Sequence, residues 1–155
     1  MLFERISEKL EKDPNFYTLM AFLCFGFILY WNSFSNTWTF DDYFVVLDNP
    51  DVRSLADFVR NSYPGRPLRE LSAMLDYHLF GFSPAGWHIQ NVLWHSLNAW
   101  LVFILSSLLS DSRRVSWFAS ALFLVHPLHV EVVAQASHRK DSLSLFFMLV
   151  VFIFY

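Results

Sequence analysis

Residues 87–109 read W-H-I-Q-N-V-L-W-H-S-L-N-A-W-L-V-F-I-L-S-S-L-L, without one acid, lysine or arginine. A helix that crosses a bilayer needs roughly 20 mostly apolar residues. This stretch therefore predicts a membrane-spanning helix, and an unusual one. His88, Asn91, His95 and Asn98 recur at spacings of three, four and three, which puts them on one stripe of the helix. Polar groups in hydrocarbon need partners, so the stripe is expected to face the interior of a bundle. It serves there either as part of a site or as interhelical hydrogen bonding.

Working outward, three more apolar runs are candidate spans, at 16–34, at 115–133 and from 143 onward to 155. The composition agrees. Of the 155 residues, 55% are hydrophobic, 19% aromatic and only 16% charged, against roughly a quarter charged in soluble domains. The expected fold is all-α, a polytopic membrane helical bundle of about four spans. Residues 1–15 mix acids and bases into a short solvated segment, expected to be cytoplasmic. The run after them reads as an uncleaved signal anchor, since no small-residue cleavage site follows. Arg113 and Arg114 in the turn after the second span support that orientation. Parity then puts the long loop 36–86 and the segment 131–140 on one outer face. Trp31, Trp38 and Trp87 fall near the outer ends, as an aromatic belt does. The single Cys24 allows no disulfide, and a net charge of −3 gives no argument for nucleic acid. The last apolar run continues into the end of the chain, which reads as a fragment of a longer protein.

A loop above roughly 15 residues is usually functional or separately structured. Loop 36–86 opens on N-T-W-T-F-D-D, where Asp41 and Asp42 stand together at the mouth of a span. One carboxylate suits a general base, the other a metal or the orientation of an acceptor; a solvated pair or a local cap reads equally from the residues. Further along, Pro67 and Gly81 bracket a helical pattern in which Leu68, Leu71, Leu75 and Leu79 share a sector of roughly 80°. Arg69, Glu70 and Asp76 lie away from that sector. Such a helix lies in the membrane interface or packs on the rest of the loop. In V-H-P-L-H-V-E, residues 125–131, Pro127 breaks the third span. Beyond it His129 and Glu131 share a side if the chain is extended, a pairing suited to a divalent cation or a proton relay. Hydrogen bonding of His126 and His129 to backbone freed by the proline is the alternative. Arg66, Arg139 and Lys140 sit where a phosphate headgroup would lie, with simple interfacial anchoring the other reading. No Gly-rich phosphate loop, nucleophile elbow or Cys-based metal motif occurs.

The order of these motifs is familiar: F-D-D-Y, D-N-P-D, G-R-P-L, G-x-x-P-x-x-W-H-x-x-N, then H-P-L-H-V-E-x-V-A with R-K-D-S-L. It closely resembles the N-terminal part of the membrane O-mannosyltransferase-like proteins that carry tetratricopeptide repeats. These belong to the GT-C superfamily of polyprenyl-phosphate-sugar-dependent glycosyltransferases. The match runs from about Phe16 to Tyr155, and its specificity comes from several motifs in order. The resemblance implies a glycosyltransferase that moves a sugar, mannose in the best-known case, from a dolichyl- or undecaprenyl-phosphate carrier to a hydroxyl acceptor, a protein among them. It implies Asp41 and Asp42 as catalytic carboxylates, Asp41 as the base, and Arg66 and Arg139 as ligands of the donor phosphate. It implies His129 and Glu131 as contributors to the site, in some relatives as metal ligands, so a divalent cation is a candidate cofactor. His126, His88, Asn91 and His95 are the supporting polar residues. The repeats and later spans are missing, so these residues alone are expected to be inactive.

Two other classes compete: a transporter using the His/Asn stripe as an ion path, and a non-catalytic membrane scaffold. A transporter wants charge near mid-membrane, whereas here the charges gather at one surface. An integral, multi-pass location is expected, with a bacterial plasma membrane favoured over the endoplasmic reticulum because no eukaryote-specific signal appears.

Overall fold

The computed structural model describes residues 15–61 and 66–155. The expected N-terminal cytoplasmic segment lies almost wholly outside the described residues. Seven α-helices follow one another with no strand between them, among the described residues. They are α1 (Asn15–Leu29), α2 (Leu55–Asn61), α3 (Pro67–Phe80), α4 (Pro84–Ser110), α5 (Arg113–Val125), α6 (Val130–Ala134) and α7 (Arg139–Phe154).

The long apolar helix α4 is the axis, with α1, α5 and α7 packed along it. Phe22, Phe103, Leu124, Leu149 and Ile153 close the core between these four helices. A second, smaller core lies at the N-terminal end of α4. There Val46, Val52, Ala73, Trp87 and Ala136 join the long loop, α3 and the segment before α7. The chain is thus a helical bundle with a cap at that end.

By length and composition, α4 is the one unbroken helix among the described residues that is long and apolar enough to cross a membrane. The third expected span is a bent pair, Arg113–Val125 and Pro127–Ala134, broken by 47°. Pro127 accounts for the break. It has no N–H to continue the ladder, and Leu128 N–H turns instead to His126 Nδ1 at 3.3 Å. The Leu124 carbonyl freed in this way accepts from His95 Nε2 at 3.1 Å and Tyr30 OH at 3.4 Å. α1 is a shorter apolar helix over Phe16–Leu29, and α7 runs to Phe154, beside the last residue, Tyr155. By length and composition, one helix among the described residues, or two with the bent pair, reaches span length, against the four expected.

One glycine sets a turn and another a close approach. Gly81 ends α3 at φ 59°, a conformation that needs no Cβ. At Gly86, in the first turns of α4, an added Cβ would come within 2.5 Å of Phe80 Cβ and 2.2 Å of its Cγ. Gly86→Ala in the whole protein should cost about 1–3 kcal/mol, as overpacking does, and lower the thermal unfolding midpoint in detergent. An unchanged midpoint would show that the α3–α4 corner is not packed this tightly.

Candidate active site

The paired aspartates divide into two environments. Asp42 is fully buried. Its Oδ2 accepts from Thr39 N at 3.1 Å and Thr39 Oγ1 at 3.4 Å, and its Oδ1 accepts from Ser137 N at 2.9 Å. That last bond ties the loop after α1 to the segment before α7. His88 is fully buried beneath, with Asp42 and the Asn36 backbone as electrostatic neighbours. Asp41, by contrast, is exposed, and its carboxylate has no hydrogen bond or ion pair among the described residues. Phe40, just before it, is a non-glycine residue at φ 42° with 82% of its surface exposed. The left-handed region costs an L-residue of this size on the order of 1–2 kcal/mol. The acidic motif therefore consists of a strained turn, an anchored carboxylate and a free one.

Arg139 does not reach a ligand position. It is only 2% exposed. Its Nη1 pairs with Asp76 Oδ2 of α3, its Nε donates to Asn91 Oδ1 at 2.9 Å, and its Nη2 donates to the Trp87 carbonyl at 3.1 Å. The guanidinium also lies 5.7 Å from the centre of the Trp87 ring. Lys140, the next residue, lines a cleft of about 210 Å³ between the N-terminal ends of α3 and α7. Arg66, which is exposed, stands on its rim with no ion pair among the described residues, and Leu68, Leu143 and Phe147 form its apolar wall. Of the two arginines expected at a phosphate, one is at a cleft and one is in the frame.

The expected pairing of His129 with Glu131 is not formed. The chain after Pro127 is a 3-10 turn, Pro127–His129, running into α6, so two residues apart means roughly 200° of helix rotation. His129 packs on Phe123, His95 and His126, with ring centres 4.5, 5.3 and 5.9 Å apart. Glu131 points to solvent. No three His, Cys, Asp or Glu side chains converge as a metal site among the described residues. The acidic motif meets the second loop at Ser137 rather than at His129 or Glu131.

The stripe on α4 does face the interior, and Asn91, His95 and Asn98 are engaged there, while neither ring nitrogen of the buried His88 has a hydrogen-bond partner among the described residues. Besides His95, Asn91 Nδ2 donates to the carbonyls of Gln135 at 2.7 Å and Val133 at 3.3 Å, and Asn98 Nδ2 to that of Ser142 at 2.9 Å. The stripe thus fastens α4 to α5, to α7 and to the segment before it.

The charged face of α3 is buried too. Glu70 is paired with Arg69 and accepts from Asn49 Nδ2 at 2.7 Å. Burial pushes the Asp76 carboxyl up to about 6, with the Arg139 guanidinium pulling the other way. Sequence reasoning missed Ser137 and Asp76 as site-builders. The available signal for Asp76 was that both acids of α3 lie outside its leucine sector.

Comparison with curated proteins places the chain once this geometry is known. It is 37% identical over 145 residues to the protein O-mannosyl-transferase Tmtc1 of Drosophila melanogaster, across 84% of this chain and 17% of that protein. It is 30% identical to TMTC3 of Mus musculus across 92% of this chain and 17% of that protein, and 31% identical to TMTC4 of Homo sapiens across 88% and 22%. The chain belongs to the TMTC protein O-mannosyl-transferase family. It spans about a fifth of the length of these curated relatives, or somewhat less. No family model matches it, and no solved structure does. For this TMTC segment, the buried network is therefore described from its own contacts.

Two outcomes are expected of that network. Arg139→Met in the whole protein strands the Asp76 charge and should cost about 3–5 kcal/mol, whereas Arg139→Met with Asp76→Leu should recover most of the loss; thermal unfolding in detergent reads both. The raised Asp76 value gives a pH test. The folded chain holds a proton between about pH 4 and 6 that the unfolded chain releases. The stability Asp76 contributes is thus largest below its ordinary range and lost as pH rises through about 6. The midpoint of the wild type should gain on that of Asp76→Asn as pH drops from 7 to 5, and a constant difference would contradict the shift.

Proposed function

We propose that the whole protein transfers a sugar, mannose by the names of its relatives, from a polyprenyl-phosphate carrier to a hydroxyl of a protein acceptor on the outer face of a membrane. The observation that carries this reading is the division of labour within the acidic motif. A fully buried Asp42 fixes the loop to the second outer segment, and an exposed Asp41 is left free beside it.

In this mechanism Asp41 accepts the proton of the acceptor hydroxyl as its oxygen attacks the anomeric carbon. The bond from that carbon to the phosphate oxygen breaks, and its electron pair leaves with the lipid phosphate. Arg66 and Lys140 balance the charge of that phosphate, and the carrier chain follows Leu143 and Phe147 along α7. Arg139 acts at one remove by holding α3 against α4. His129 and Glu131 present no common face, so neither is given a role as a metal ligand here.

The multi-pass reading belongs to the same proposal. α1, the bent α5–α6 pair and α7 lie along α4 and cross the membrane with it, which leaves both outer segments on the side where lipid-linked sugar is used. Engagement of Asn91, His95 and Asn98 with backbone carbonyls weighs against an ion path along the stripe.

Transfer to a peptide acceptor from a dolichyl- or undecaprenyl-phosphate sugar tests the proposal. Asp41→Asn should keep the wild-type thermal midpoint and lose about 10²–10⁴-fold in kcat, the range for a general base. Arg66→Ala and Lys140→Ala should chiefly raise KM for the lipid-linked donor. Wild-type turnover by Asp41→Asn would overturn the assignment.

A further inference from the structure

We infer that the leucine face of α3 is seated in the outer leaflet of the bilayer. The helix is inverted relative to one that packs through its apolar side. Glu70 and Asp76 are buried against Asn49 and Arg139, and Ala73 sits in the cap core. Leu68, Leu71, Leu75 and Leu79 point outward, each 42–59% exposed. The helix cannot roll to hide them, because rolling would expose two carboxylates and break their bonds across the cap. An unbroken apolar stripe held outward in this way marks a surface meant to be covered.

The stripe does not end in solvent. Leu68 shares the wall of the α3–α7 cleft with Leu143 and Phe147. From Phe147 the outward face of α7 continues through Val151 and Phe152, both exposed. One apolar surface therefore runs from the flank of a spanning helix onto α3. At the junction stand Arg66 and Lys140, the charge expected at the level of phosphate headgroups. A second copy packed face to face would bring two such basic rims together, and a lipid surface brings phosphates. The inference rests on the multi-pass reading, since it takes α7 as a span.

The test uses the whole protein in a cysteine-free background, reconstituted in phosphatidylcholine vesicles. Single labels at Leu71→Cys, Leu75→Cys or Leu79→Cys carry a bimane fluorophore, with Val151→Cys on α7 as the reference. Lipid brominated along the acyl chain should quench the α3 labels at least several-fold more strongly than aqueous iodide does. It should quench the reference label as well. If the α3 labels answer to iodide, or are shielded from both quenchers by other parts of the protein, the seat is wrong while the spanning reading stands. If the label at 151 escapes the brominated lipid, the spanning reading and the seat fall together.

Discussion

A guanidinium taken out of water must find its partners in the protein, and those of Arg139 lie on two other helices. Asp76 is on α3, Asn91 and Trp87 are on α4, and Arg139 itself opens α7. Desolvating such a charge costs several kcal/mol, offset only while the geometry holds. That requirement fixes where α3 sits, and through Glu70 and Asn49 it fixes the loop that precedes α3. Asp42 makes the matching tie on the other side by accepting from Ser137. The cap is therefore a polar frame with a small apolar filling of Val46, Val52, Ala73, Trp87 and Ala136. It is positioned by directional bonds more than by area.

Much of this was legible in the residues because it depends on local chemistry. Pro67 and Gly81 bracket α3 since one fits a first turn and the other a left-handed stop. Pro127 breaks its helix for want of an N–H, and the spacing of His88, Asn91, His95 and Asn98 implies an inward stripe. What was not legible depends on distant partners. Asp41 and Asp42 are chemically the same, and what separates the anchor from the free acid is the set of bonds to Asp42, from Thr39 nearby and from Ser137, 95 positions away. Arg139 and Lys140 differ by one step of helix rotation, and that step sends one into the frame and the other to the cleft. His129 and Glu131 pair in extended chain and part in helical chain, and the chain there is helical.

The inverted orientation of α3 joins these features. A helix that buries its acids and exposes its leucines looks inside out by the standard of a water-soluble domain. It is consistent where one side meets a polar frame and the other meets lipid. Seated in this way, the same helix that holds the frame would set the height of Arg66 above the hydrocarbon, at the level where the proposed lipid-linked donor would present its phosphate.

The left-handed turn at Phe40 has a consequence for what the acidic motif is. Its backbone is not one that the local sequence favours. The conformation persists because Asp42 is fastened at Thr39 and Ser137. The direction in which Asp41 points is thus borrowed from a segment far along the chain. A synthetic peptide carrying N-T-W-T-F-D-D would have the right atoms and relax away from the right shape. The motif is a property of the assembled cap, and the seven letters are only its label.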